Sequence, residues 1–302
     1  MNKKVPVLIT IFNRPDAAMA AFQNVRTYRP DHLYVAADGP RKFKEGEKQQ
    51  CEQARKAILN AIDWPCDVHT LFRDENLGCA KAMYGAISWF FEQEEQGVII
   101  EDDIVVGQDF FLLCEDLLPR YTQEERVMEI SARNQSRRTD INDSYVYAQC
   151  YHCWGWATWR RAWNRMDMTM SATSRLSLTY LIKRLGLFRG SMMKYYFKKA
   201  FNHIDTFNSW ATRWYLSILA HDGLVICPGV NLAVNIGMSG GTHYETGDTD
   251  PYANLGIGHL KWPIKYNDII VPDKKQYHYD NIDFKKIRWF GLKKKIKRIM
   301  SL

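Results

Sequence analysis

The chain has 302 residues, 46% apolar and 13% aromatic, enough for a packed core in one large α/β domain or two small ones, which excludes an intrinsically disordered protein. Its formal charge of +7 belongs to the tail: from Phe284 onward there are eight Lys or Arg and no acid, so the body carries −1 and lacks a basic groove for nucleic acid. Seven scattered cysteines, an odd number, do not form the paired framework of a small secreted domain; they predict reduced thiols and a cytoplasmic protein.

Lys3-Lys4 before an apolar run mimics a signal peptide, but Pro6 interrupts the run and no small-residue cleavage site follows. No stretch approaches the roughly 20 apolar residues of a membrane span. A strand over 5–12 is stopped by Arg14-Pro15-Asp16, and a helical pattern covers 17–28. A second strand over 32–37 closes at Asp38-Gly39-Pro40, a polar helix covers 46–62, and a third strand covers 67–72. A helix over 78–92 carries Ala82, Ala86, Trp89 and Phe90 on its apolar face, and a strand over 98–100 runs into Glu101-Asp102-Asp103.

This alternation predicts an α/β fold with a mostly parallel sheet, whose ligands sit beyond the carboxyl ends of the strands. Asn13, Arg14, Asp38 and Glu101-Asp102-Asp103 should therefore converge on one crevice. Three acids at the end of a buried strand repel one another unless a cation offsets them; a solvated acidic turn is the alternative. Neither G-x-G-x-x-G after a strand nor G-x-x-x-x-G-K-[ST] is present, so a sheet of this kind that binds phosphates needs a divalent cation, Mn2+ or Mg2+.

The second half predicts strands over 126–132 and 144–150, then packs Trp154, Trp156, Trp159 and Trp163 into one short segment. Trp159 and Trp163, spaced i,i+4, read as the core face of a helix, whereas Trp154, Gly155 and Trp156 read as a turn that stacks on an acceptor sugar. Trp210 and Trp214 read as helix core, and Cys150 and Cys153, with no second pair at zinc spacing, as structural thiols. In the tail, Trp289, Leu292, Ile296 and Ile299 recur at helical spacing among Lys and Arg, as in a helix lying on an anionic membrane; docking on the domain is the alternative.

Several segments together resemble a GT-A-fold glycosyltransferase of the N-acetylglucosaminyltransferase I type and its bacterial relatives: Asn13-Arg14-Pro15, the motifs at 37–40 and 76–81, Glu101-Asp102-Asp103 followed by Asp109-Phe110-Phe111, and Gly155-Trp156-Ala157. The match runs over about 5–243. The resemblance implies a nucleotide-sugar donor, usually a UDP-sugar, a divalent metal on its diphosphate, and inversion at the anomeric carbon. It places Asp103 as the metal ligand, Asp102 by the ribose, Asp38 facing the base, and Arg14 near the nucleotide. Asn13, Lys81 and Glu101 complete the donor side. The segment 235–243 resembles the late loop that closes over the donor, with His243 near the diphosphate or metal.

The departure is the catalytic base. The family sets an acid beside the tryptophan of the late helix, but Asn208-Ser209-Trp210-Ala211 has none, and Asp205 is the nearest upstream carboxylate, with Asp140 or Asp143 as substitutes. The gap leaves a retaining enzyme or a non-catalytic nucleotide-sugar or glycan-binding protein as alternatives, whereas a sugar nucleotidyltransferase would need a glycine-rich loop after the first strand. The expected division is 1–115 for the donor half, 116–283 for the acceptor half, and 284–302 for the basic tail, which would hold the enzyme at the inner face of the cell membrane beside a lipid-linked saccharide.

Overall fold

The computed structural model describes residues 4–134, 136, 138, 140–141, 143–237 and 255–286. Strands β1 (Val7–Ile11), β2 (His32–Ala37), β3 (Asp67–Phe72) and β4 (Gln96–Glu101) alternate with helices α1 (Pro15–Tyr28), α2 (Glu47–Asn60) and α3 (Cys79–Gln93). The helix predicted from residue 17 starts at Pro15, because a proline in the first turn gives up an N–H that has no partner there. After β4 come β5 (Ile104–Val106), α4 (Gln108–Arg120), β6 (Val127–Ser131), β7 (Tyr145–Ala148), β8 (Trp156–Trp159) and α5 (Arg160–Trp163). The chain continues with α6 (Ala172–Arg175), α7 (Leu178–Leu185), α8 (Leu187–Asn202), α9 (Trp210–Ala220), β9 (Leu224–Pro228) and β10 (Ala233–Asn235), and a helical run covers 274–286.

Eight strands form one sheet in the order β3-β2-β1-β4-β8-β6-β9-β7, with β5 and β10 paired as a separate antiparallel ribbon. β1 pairs in parallel with β2 and β4, β2 with β3, and β6 with β9, whereas β8 runs against β4 and β6, and β7 against β9. The expected α/β architecture with a mostly parallel sheet flanked by helices is the one observed.

Burial on both faces explains the uninterrupted apolar runs of β1 and β2. Val7, Ile9, Leu33 and Val35 pack with α1, α2 and α4, while Leu8, Tyr34, Ala36 and Ile99 pack with α3, α5 and α9 on the other side. A third cluster joins α6, α7 and α8 to the far side of α9 through Leu181, Met193, Phe197 and Leu216. All seven cysteines are free thiols. Among the described residues no helix is long and apolar enough to cross a membrane.

The tryptophan segment corrects the helical reading of Trp159. Trp156–Trp159 is a buried strand, and only Arg160–Trp163 is helical. The tail reading from Phe284 is covered for three residues, which continue the helical run 274–286, with the Phe284 ring 6.1 Å from Phe188; residues 287–302 lie outside the described part.

Candidate active site

The parallel strands β1 and β4 end side by side, with Thr10 in register with Glu101, and so deliver Asn13-Arg14 and the acidic triplet to one crevice. One Arg14 nitrogen, Nη2, donates to Asp102 at 2.5 Å and to Asp103 at 3.0 Å. The Phe12 N–H adds a bond to the other Asp102 oxygen at 3.1 Å. Asp102 is buried, and burial pushes its carboxyl up to about 6 in spite of Arg14 and the Phe12 N–H. Glu101 is pushed up to about 8, chiefly by burial and then by Asp103 and Asp102, with Trp210 as a hydrogen-bonding neighbour. Two carboxylates therefore share one guanidinium, with a third acid held in its neutral form near pH 7.

β5 leaves the triplet directly and pairs with β10, so that the Ile236 N–H donates to the Asp103 carbonyl at 2.8 Å. Gly237 then lies flat on the site: a Cβ there would stand 2.3 Å from Asp103 Oδ2 and 2.9 Å from Arg14 Nη1. The late segment expected to close the site thus starts on the Asp103 carboxylate. His243 lies outside the described residues.

The other donor-side residues have structural duties. Asp38 accepts from the Gly39, Leu77 and Gly78 N–H groups and from the Asn76 amide, at 2.9–3.2 Å, so both its oxygens organise the turn at 76–78. Its carboxylate is thereby fixed at the carboxyl end of β2. Asn13 donates to buried Glu47 at 2.8 Å, and Glu47 also takes the Arg41 N–H and guanidinium, which ties the loop after β1 to the loop after β2. Lys81 is exposed on α3.

Gly155 packs against the strand that follows the triplet. Its φ of +69° and a Cβ position 2.3 Å from Val106 both require glycine. Trp154 is half-buried, packed against the core cluster that contains Ile104 and Val106, with the Arg133 guanidinium 3.4 Å from its ring centroid. Trp156 is a correction: it is fully buried, stacked on Trp210 at 5.4 Å and packed on Trp214 at 5.7 Å, and has no face to offer an acceptor.

Asp205 is exposed in the turn before α9. Three residues later Asn208 accepts from the Ala80 N–H at 2.8 Å, which anchors this loop to the start of α3 and so to the crevice side of the sheet. Sequence reasoning named Glu101 on the donor side but missed its pairing with Trp210, and it missed Glu129 altogether. Glu101, not a neighbour in sequence, is the acid beside Trp210. Glu129, fully buried on β6, accepts from the Trp214 indole at 2.8 Å and the His152 N–H at 3.2 Å; a lone acid inside the run Val127–Ser131 was its signal.

Among the described residues no group of three or more His, Cys, Asp and Glu is placed to hold a metal ion. Asp103, partly exposed, fits a cation carried mainly by a ligand's own phosphates, the usual arrangement for Mg2+ beside a diphosphate. A cleft of about 1010 Å3 lies at the opposite end of β1 and β4, around Lys4, Glu94, Glu115 and Trp262, away from these residues.

No family model and no curated protein matches the chain. Among solved structures it is similar to a mannosyltransferase from Pyrobaculum calidifontis in complex with GDP-Man and Mn2+, at 14% identity and TM-score 0.37 over 73% of this chain and 74% of that one. It is also similar to mouse xyloside xylosyltransferase 1 (9% identity, TM-score 0.33, 71% and 81% covered) and to the inositol-1-phosphate CTP transferase of T. maritima (8%, 0.31, 55% and 74%). Likeness this distant assigns no activity, ligand or metal to this chain.

Proposed function

We propose that the chain is a metal-dependent glycosyltransferase that moves a sugar from a nucleotide-diphosphate donor, a UDP-sugar, to a saccharide acceptor of a bacterial envelope glycan, with inversion. The observation that carries this reading is the meeting of Arg14, Asp102 and Asp103 at the carboxyl ends of β1 and β4 beneath Gly237. One guanidinium against two carboxylates leaves an excess negative charge that a cation would balance.

Asp103 is the carboxylate that would hold Mn2+ or Mg2+, with His243 as its partner, and a bound cation would neutralise charge on the leaving diphosphate. Arg14 fixes both aspartates and offers its remaining N–H groups to the nucleotide. Asp102, already held by the Phe12 N–H, orients the ribose side. The base that takes the acceptor hydroxyl proton is assigned to Asp205, the nearest carboxylate upstream of Trp210 in the sequence. Trp154 supplies the aromatic face for the acceptor. The basic segment 284–302 would hold the enzyme at an anionic membrane where a lipid-linked saccharide is presented.

The test is turnover of a panel of UDP-sugars with Mn2+, followed by release of UDP. Asp103→Asn should lower kcat by about 100-fold or more while the unfolding midpoint stays within a few degrees. Unchanged metal-dependent turnover in that variant removes the proposal. Mn2+-dependent binding of UDP with no turnover of any donor would make the chain a binding protein instead.

A further inference from the structure

We infer that the outward arc of α8, with the corner that joins it to α7, is a surface by which the protein lies on an anionic lipid bilayer. Helix α8 buries Arg189, Gly190, Met193, Phe197 and Ala200 against the body. A helix packed on one side is ordinarily polar on the other. Here the outward arc carries Leu187, Phe188, Tyr195 and Phe201, which are 72%, 45%, 66% and 41% exposed. Exposed Lys198 and Lys199 lie between them. At 100° per residue, positions 187, 188, 195, 198, 199 and 201 fall within one half of the helix, so aromatic and basic side chains share a face.

Charge selects the occupant. Between Asp167 and Asp205 the sequence holds no acid, and although Arg184 and Arg189 are buried, Arg175, Lys183, Lys198 and Lys199 are exposed. A second copy of the chain would set this basic face against itself, and the chain's own basic segment 287–302 would be repelled by it. A nucleic acid would answer the lysines but not an exposed leucine and two exposed phenylalanines. An anionic bilayer answers both, taking apolar side chains below the headgroups and lysines at their level.

The tail meets the same corner. The Phe284 ring stands 6.1 Å from Phe188 with the Arg189 guanidinium over it at 5.2 Å, and a Cβ on Gly186 would meet the Tyr277 hydroxyl at 2.7 Å. Exposed Lys285 and Lys286 are thereby carried to this edge. The inference is independent of the transferase reading, since it uses none of the crevice residues.

The experiment is co-sedimentation of the full chain with phosphatidylcholine vesicles, with and without phosphatidylglycerol, at low and high salt, with an RNA oligonucleotide as competitor. Wild type should bind the anionic vesicles in a salt-sensitive way. Lys198→Glu with Lys199→Glu should lower the partition coefficient about tenfold or more, and Leu187→Ser with Tyr195→Ser, at the two most exposed apolar positions of the arc, should lower it by a similar factor even at high salt. These positions are exposed, so both variants should keep the wild-type unfolding midpoint. Wild-type partition by both variants overturns the inference in favour of the tail alone. Equal binding to neutral vesicles, or RNA that binds through the same residues and displaces the vesicles, overturns it too.

Discussion

Arg14 donates to Asp103 at 3.0 Å through the nitrogen that also serves Asp102, so one cationic group is divided between two neighbouring carboxylates. The sharing is unequal. Asp102 is buried and has the Phe12 N–H as a second donor, whereas Asp103 is 22% exposed at its side chain. The first is anchored; the second is the carboxylate a ligand can reach.

Loss of Arg14 should expose this dependence. Arg14→Ala leaves Asp102 buried beside Asp103 with no counter-charge, and should destabilise by about 2–3 kcal/mol. Asp102→Asn in the same chain should recover part of that loss, because it removes the charge that Arg14 offset. Thermal or urea unfolding of the two single variants and the double variant measures the coupling. Strict additivity would show that the pair carries no interaction energy.

Gly237 tests the ligand face of Asp103 separately from the fold. A methyl group there would sit 2.3 Å from Asp103 Oδ2, so Gly237→Ala must push that carboxylate or the loop aside. The expected outcome is a destabilisation of about 1–3 kcal/mol, with a loss of most of the Mn2+-dependent thermal shift produced by UDP at temperatures where the variant is folded. An undiminished shift would mean that Asp103 does not engage the ligand.

The donor half was legible because each of its strands is a bounded apolar run and each loop ends in residues with distinct chemistry. The strands expected over 5–12 and 98–100 are read from their apolar runs, and the parallel register of Val7–Ile11 with Gln96–Glu101 then brings Arg14 and Asp103 together. Trp156 and Trp159 were misread because an aromatic-rich run matches a sugar-binding turn, a helix face and an interior strand equally well; only pairing with β4 and β6 decides. Glu101 beside Trp210 and the Gly237 contact are pairings between distant segments, for which periodicity carries no signal.

The two tryptophans of the aromatic turn should separate by readout. Trp156→Ala empties a fully buried site shared with Trp163, Trp210 and Trp214 and should cost about 3–5 kcal/mol, with a large fall in the unfolding midpoint. Trp154→Ala removes a half-buried ring stacked on Arg133; it should leave the midpoint within a few degrees and raise KM for the saccharide acceptor. A KM for acceptor that is unchanged in Trp154→Ala would take that ring out of the acceptor site.

Glu129 makes the fold sensitive to alkaline pH. Burial pushes its carboxyl up to about 8, against which the Trp214 and His152 N–H bonds act only in part. The unfolded chain releases this proton near the ordinary glutamate value, whereas the folded chain keeps it to about 8, so in that window the folded state holds more protons and stability falls as pH rises. Glu129→Gln is neutral throughout. Its amide can accept from Trp214 but then turns an N–H2 toward the His152 N–H, a mismatch that should cost about 1–3 kcal/mol. The variant should therefore be the less stable protein at about pH 5 and gain on wild type by about 1.4 kcal/mol per unit across the window, so that the two stability curves converge or cross before about pH 9. Urea unfolding of both proteins across that range gives the difference directly. A difference that stays constant with pH would place the Glu129 proton in solution in both states.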